Sequence, residues 1–311
     1  MNAQMYFYGE LAPIVLFVFN RPEHTRRTIE SLSRNFGADK SDLIIFSDAA
    51  KSPSQERDVD SVRSYLEKIV GFNTVSIKFR DTNYGLSRSI IEGVSDVLKK
   101  YHKVIVLEDD MVTSPFFIKY MNEALNIYTN INKVASVHGY VYPTKKPLPE
   151  TFFLRGADCW GWGTWRRSWL DFISDGKFLL DQLKKTNQIN EFNFNGAFPF
   201  ARMLQDQIEG RNDSWAIRWH ATCFLNNKLT LYPGRSLIEN IGHDGSGTHS
   251  GSDGKFKGRL TDSPILVLEK PVKVSSEAWS EFQTYLAGNY IYIKKINYYF
   301  KRLMLKLLCR N

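Results

Sequence analysis

The stretch Lys103–Asp110, KVIVLEDD, sets four apolar residues directly before three acids. An unbroken apolar run of this length reads as a strand buried on both faces, since a strand with one face in water would alternate. Strands buried on both sides belong to parallel sheets, whose connections are helices. The flanking sequence supplies them. Upstream, Pro13–Phe19 (PIVLFVF), Leu43–Phe46 and Val75–Phe79 read as three further strands. Between them lie a helical pattern over Pro22–Phe36, a charged helix ending near Val70, and a helix over Leu86–Tyr101 with Ile90, Val94, Val97 and Leu98 on one side. Downstream, Ser114-Pro115 reads as N-cap and first-turn proline of a helix running to about Tyr128, and Val134–His138 as a fifth strand. The expected fold is α/β, a mostly parallel sheet flanked by helices.

Sheets of this kind bind ligands outside the carboxyl ends of their strands, so the residues just after each strand carry the chemistry. Glu108, Asp109 and Asp110 stand at such an end. Three adjacent carboxylates repel one another unless a cation or donor groups neutralise them. Hard oxygen ligands suit Mg²⁺ or Mn²⁺, and an ion there would clamp a diphosphate; the alternative is a solvated acidic turn. Asn20 and Arg21 follow strand one, Asp48 follows strand two, and Arg80 and Asn83 follow strand three. Arg21, Arg80 and Arg88 are candidates to meet phosphate, and Asp48 to accept a hydrogen bond from a base or ribose. Helix caps and surface turns are the alternative for each.

Beyond residue 140 the pattern changes. PTKKPLP (Pro143–Pro149) marks a turn or linker. GADCWGWGTWRRSW (156–169) holds four tryptophans. Trp162, Trp165 and Trp169 have helical spacing and read as core, while Gly156, Gly161 and Gly163 allow close backbone approach, as an acceptor platform requires. A helical region follows over about 175–210. The glycine-rich stretch 242–258 reads as a surface loop or as a lid whose His243 or His249 touches metal or phosphate.

The chain has 311 residues, 43 % hydrophobic and 24 % charged, as in soluble globular proteins. Three scattered cysteines give neither a disulfide framework nor zinc spacing, so a reducing compartment is the expectation. No signal peptide and no apolar run of membrane-spanning length is legible. Of the net charge of +8, six charges fall in residues 285–311, where there is no acid. A nucleic-acid partner would require basic residues clustered on the fold itself, so none is expected. Written as a helix, residues 293–307 put Ile293, Ile296, Phe300, Leu303, Met304 and Leu307 on one face and Lys294, Lys295, Lys301, Arg302 and Lys306 on the other. That is the pattern of a helix lying on an anionic membrane surface, and the expected location is cytoplasmic, on the inner face of the plasma membrane. The alternative is a helix docked on the protein's own core.

With these residues in view, Val104–Asp110 followed by MVTSPFF resembles the DXD metal motif of GT-A glycosyltransferases, a Rossmann-like fold. It is similar to that of the Golgi N-acetylglucosaminyltransferase that begins complex N-glycans. It resembles more closely the bacterial family 2-like sugar transferases of surface-polysaccharide clusters. The likeness extends through ADCWGWGTWRRSW, NDSWAIRW and LYPGRSLIENIGHDGSGTH, over roughly residues 11–260. It implies an inverting transfer from a nucleotide-sugar, a UDP-sugar foremost, to a growing and lipid-linked glycan. By that resemblance Asp110 is the direct metal ligand. Glu108 and Asp109 lie near donor sugar and ribose, Asp48 contacts the base, and Asp213 is the general base, with Asp206 and Asp244 as rivals. Many of the bacterial relatives carry an acid directly after the tryptophan, where this chain has Ala216. The division implied is a nucleotide-sugar half (1–140), an acceptor and catalytic half (141–274) and a basic tail (275–311). A nucleotidyltransferase would want a glycine-rich phosphate loop after strand one, where Asn20-Arg21-Pro22 stands. A non-catalytic sugar binder would not need the acid cluster.

Overall fold

A computed structural model describes residues 9–244 and 258–288. The strands are β1 (Ile14–Val18), β2 (Asp42–Ser47), β3 (Thr74–Phe79), β4 (Lys103–Glu108), β5 (Met111–Thr113), β6 (Val134–His138), β7 (Thr151–Arg155), β8 (Trp162–Trp165), β9 (Leu229–Pro233) and β10 (Ile238–Asn240). Eight form one sheet in the order β3-β2-β1-β4-β8-β6-β9-β7. All run the same way except β8 and β7, which are antiparallel to their neighbours. The helices are α1 (Pro22–Ser33), α2 (Glu56–Leu66), α3 (Leu86–Lys100), α4 (Phe117–Ile127), α5 (Arg166–Trp169), α6 (Gly176–Lys185), α7 (Ile189–Phe192), α8 (Phe200–Ile208) and α9 (Trp215–Leu225), with a further helix, α10, over 276–288.

The apolar run of β4 is explained by the two cores it divides. Ile105 and Leu107 pack with Ile29 and Leu32 of α1, Val62 of α2 and Met121 and Leu125 of α4. Val104 and Val106 face the other way, toward Ile90, Val94 and Val97 of α3 and the tryptophans Trp162, Trp215 and Trp219. Each such side chain, fully buried, contributes about 1.5–3 kcal/mol.

The structure revises three local expectations. The tryptophans are core, but not by helical spacing: β8 inserts between β4 and β6, so Trp162 and Trp165 pack in opposite layers and only Trp169 is helical. The helix expected from Ser114 begins at Phe117; the Ser114 hydroxyl accepts from the Phe116 amide at 3.4 Å and donates to the Thr261 carbonyl at 2.8 Å. The helical region near 175–210 is broken into α6, α7 and α8, with left-handed backbone at Asn187, Phe194 and Asn195 (φ 56°, 49° and 53°) between them.

The head of the segment read as a tail is part of the body. In α10, Ala278, Phe282 and Leu286 are buried, with Phe282 in ring contact with Tyr142, Phe152 and Tyr232. The amphipathic stretch 293–307, His249 and most of the glycine-rich stretch lie outside the described residues. No helix among the described residues is long and apolar enough to cross a membrane.

Candidate active site

The chain lays β1, β2 and β3 outward in one direction, then returns to place β4 on the other side of β1. The crevice beyond the carboxyl ends of β1 and β4 is therefore the topological switch point, where such sheets take their ligands. Arg21 arrives there from β1, held by the proline that opens α1. Its Nη2 lies 2.5 Å from Asp109 Oδ1 and 2.7 Å from Asp110 Oδ2. Burial would lower the Arg21 pKa, but the two carboxylates outweigh it and raise it. One guanidinium faces three carboxyls, so the crevice keeps an excess of acid. Burial, then Asp110 and Asp109, push the Glu108 carboxyl up to about 8. Burial raises Asp109 as well, against the pull of Arg21.

Asp110 Oδ1 is buried and has no hydrogen-bond partner. An acceptor oxygen left in this state is costly unless something outside the chain completes it. A divalent cation fits that oxygen. Among the described residues no group of three metal-ligating side chains converges, so its other ligands would come from a substrate diphosphate and water, as Mg²⁺ and Mn²⁺ sites commonly arrange. The chain is folded closely over this point. β10 pairs antiparallel with β5, and the Ile241 amide donates to the Asp110 carbonyl at 2.8 Å. A Cβ at Gly242 would collide with the Asp110 carboxylate, so only glycine lets the backbone pass there. In the next residues, the His243 ring lies 5.4 Å from that of Trp160, and Asp244 Oδ2 lies 3.1 Å from His24 Nε2.

Asp48, buried at the end of β2, accepts from the amides of Ala49 (3.0 Å), Tyr84 (2.9 Å) and Gly85 (2.9 Å). It thus shapes the turn between β3 and α3. Asn83 Nδ2 braces the same turn by donating to the Ala49 carbonyl at 2.7 Å. The Arg80 guanidinium lies between rings, 5.2 Å from Phe46 and 4.3 Å from Tyr84, and its Nε and Nη2 are buried with no hydrogen-bond partner. Arg88 is more exposed, over the other side of Tyr84 at 3.9 Å and bonded to Glu92. Asn20 sits half-buried beside Arg21 with no side-chain hydrogen bond among the described residues.

The opposite wall is built from the second half of the chain. Residues 158–161 cross the carboxyl end of the sheet before β8 begins, where Trp162 pairs with Val106 of β4 and His138 of β6. The Trp160 amide donates to His138 Nε2 at 3.0 Å, and burial pulls His138 down to about 4, so the imidazole is neutral. The Tyr140 ring lies 4.8 Å from Trp160 and 5.6 Å from Tyr142. Tyr232 Oη donates to Asp158 Oδ2 at 2.9 Å. Burial raises the Cys159 thiol, helped by Glu108, Asp158 and Asp110, which places that thiol among all three acids. Beyond Tyr142 opens a cavity of about 560 Å³, lined also by Lys145, Leu148, Arg235 and Arg259.

The structure brings together Arg21, Glu108, Asp109 and Asp110, with Asp48 and Asn83 framing the neighbouring turn. Asp213 stands apart from them. It is 74 % exposed and 3.7 Å from Arg218, whose Nη2 donates to Ser87 at the start of α3. Asp206 is held by Arg202 and Arg211 on the surface. Asp158 is the acid the sequence did not single out. Its signal was present, a carboxylate inside an aromatic and glycine-rich segment, but the tryptophans drew the reading.

No family model and no curated protein matches the chain. Solved structures do. A mannosyltransferase from Pyrobaculum calidifontis, in complex with GDP-Man and Mn²⁺, is 12 % identical over 45 % of this chain and 39 % of that one, with a TM-score of 0.31. S. aureus TarS is 11 % identical over 75 % and 37 %, with a TM-score of 0.40, and its 1–349 fragment 12 % identical over 73 % and 59 %, with a TM-score of 0.38. The chain thus spans 37–59 % of the length of these structures.

Proposed function

We propose that the chain is a metal-dependent glycosyltransferase of the GT-A type, moving a sugar with inversion from a nucleotide-sugar, a UDP-sugar foremost, to a glycan acceptor of surface-polysaccharide synthesis. The observation that carries this reading is the switch-point crevice, where Arg21 meets Glu108-Asp109-Asp110 and Asp110 keeps a buried oxygen without a partner. Bound at Asp110, Mn²⁺ or Mg²⁺ would neutralise charge on the departing diphosphate. Arg21 and Arg80 bring cations to the same rim, and the turn built by Asp48 and Asn83 forms the nucleoside side. The glycan enters from the half-buried rings of Tyr142 and Trp160, backed by the buried Tyr140, since such rings suit the apolar faces of sugars.

An inverting transfer also needs one carboxylate outside the acid cluster to take the acceptor proton. Asp213 is the candidate by resemblance. The basic stretch 293–307 suits an acceptor anchored in an anionic bilayer, which places the enzyme on the inner membrane face.

The test is nucleotide release from a panel of UDP- and GDP-sugars with Mn²⁺. Release that stops with EDTA and is nearly abolished in Asp110→Ala, with the melting temperature unchanged, supports the reading. Release indifferent to both ends it.

A further inference from the structure

Asp158 is the one carboxylate of the aromatic wall, and its two oxygens differ. Oδ2 is fixed by the Tyr232 hydroxyl at 2.9 Å. Oδ1 has no hydrogen-bond partner among the described residues, yet it is not among the atoms sealed from solvent. A carboxylate held by one oxygen and open at the other is oriented to receive a proton or a hydroxyl. It sits in the loop that precedes β8 at the carboxyl end of β4. Nearby, the buried Tyr140 ring packs against the half-buried rings of Trp160 and Tyr142, and a cavity opens beyond Tyr142.

Resting on the glycosyltransferase reading, we infer that Asp158 is the general base and the aromatic wall beside it the acceptor platform. The acceptor O–H gives its proton to Asp158 Oδ1. The acceptor oxygen forms the bond to the anomeric carbon, and that carbon's bond to the donor phosphate oxygen breaks, its electron pair leaving on the nucleoside diphosphate. A base for this step must face the sugar from the side opposite the phosphates. Asp158 stands on the β8–β9 side of β4, whereas Arg21 and Arg80 follow β1 and β3 on its other side. Asp213 is three-quarters exposed and joined through Arg218 to the start of α3, on the nucleoside side. Tyr232 acts through Asp158 by fixing its orientation.

The experiment uses the full chain with Mn²⁺ and the nucleotide-sugar that wild type turns over fastest, read as nucleotide release to water, alongside calorimetric binding of UDP with Mn²⁺. Asp158→Asn should lower release by about 10²-fold or more, the scale of general-base loss, with UDP affinity within about twofold of wild type. Tyr232→Phe should lower release by less than about tenfold, and Asp213→Asn should lower it by less than Asp158→Asn does. Asp158→Glu, which keeps the carboxylate, serves if Asp158→Asn does not fold, and should retain more release than Asp158→Ala. Near-wild-type release in Asp158→Asn, or loss confined to Asp213→Asn, overturns the assignment and leaves the glycosyltransferase reading standing. If wild type neither binds UDP with Mn²⁺ nor turns over any donor, that reading falls and Asp158 falls with it.

Discussion

At the scale of single residues, Arg21 decides the state of the acid crevice. Removing its charge in Arg21→Gln leaves three buried carboxyls facing one another. Metal-free Arg21→Gln should therefore melt below wild type at neutral pH, and added Mn²⁺ should raise its melting temperature more than it raises that of wild type. Equal shifts in the two proteins would show that Arg21 and cation do not share these oxygens. His138 gives a second test. Its folded pKa lies near 4, below the ordinary 6.5, because burial disfavours the charged imidazole. The unfolded chain therefore binds the proton first, and stability should fall as pH drops from about 6.5 toward 4, by on the order of 3 kcal/mol when fully developed. Melting curves across that window should show the loss, and His138→Gln should flatten it. The acid triplet stood out in the sequence because adjacent carboxylates after a buried strand repel one another unless a cation, donor groups or water neutralise them. Asp158 was not, because its meaning comes from Tyr232, more than seventy residues away and brought alongside only by β9.

At the scale of elements, apolar runs located the first half of the sheet well. β1, β2, β4 and β6 stand where the pattern puts them, since each is buried along most of its length, and β3, the largely exposed edge strand, was legible by its alternation instead. β5 and β10 were out of reach: at three residues each, their pairing is fixed by the crossing of the chain over Asp110 rather than by propensity. β8 was misread for a different reason. Its tryptophans sit three and seven residues apart, which fits a helix, but Gly163 between them lets the strand lie tight against β4 and α4. A Cβ there would stand 2.9 Å from Met121 Cε and 3.0 Å from the Val104 carbonyl oxygen. Gly163→Ala should accordingly cost about 1–3 kcal/mol, the usual range for overpacking, measured by urea unfolding. An unchanged midpoint would mean that α4 gives way without strain.

At the scale of the whole molecule, α10 belongs to the core through Leu286. Phe282 and Leu286 are buried, so a chain cut near residue 284 loses part of the core, whereas a chain ending at 288 keeps it. The membrane proposal therefore predicts that the 1–288 chain keeps wild-type stability and UDP binding but no longer co-sediments with anionic vesicles. The full chain should bind them, and less so in high salt. Indifference of the full chain to such vesicles would remove the membrane from the account.

The order of strands across the sheet has one more consequence. The strands on the β3 side of β4 come from residues before 103, and those on its other side from residues after 133. Under the proposed function, the strands beside the donor and those beside the acceptor are thus separate lengths of gene. A recombination event between them would join an old donor preference to a new acceptor preference, with the β4–β8 seam, the β5–β10 pair, the His24–Asp244 contact and the packing of α9 on α3 to be refitted. Lineages built on this plan have a short route to new polymers, and hybrid chains joined near residue 130 would retrace it in the laboratory.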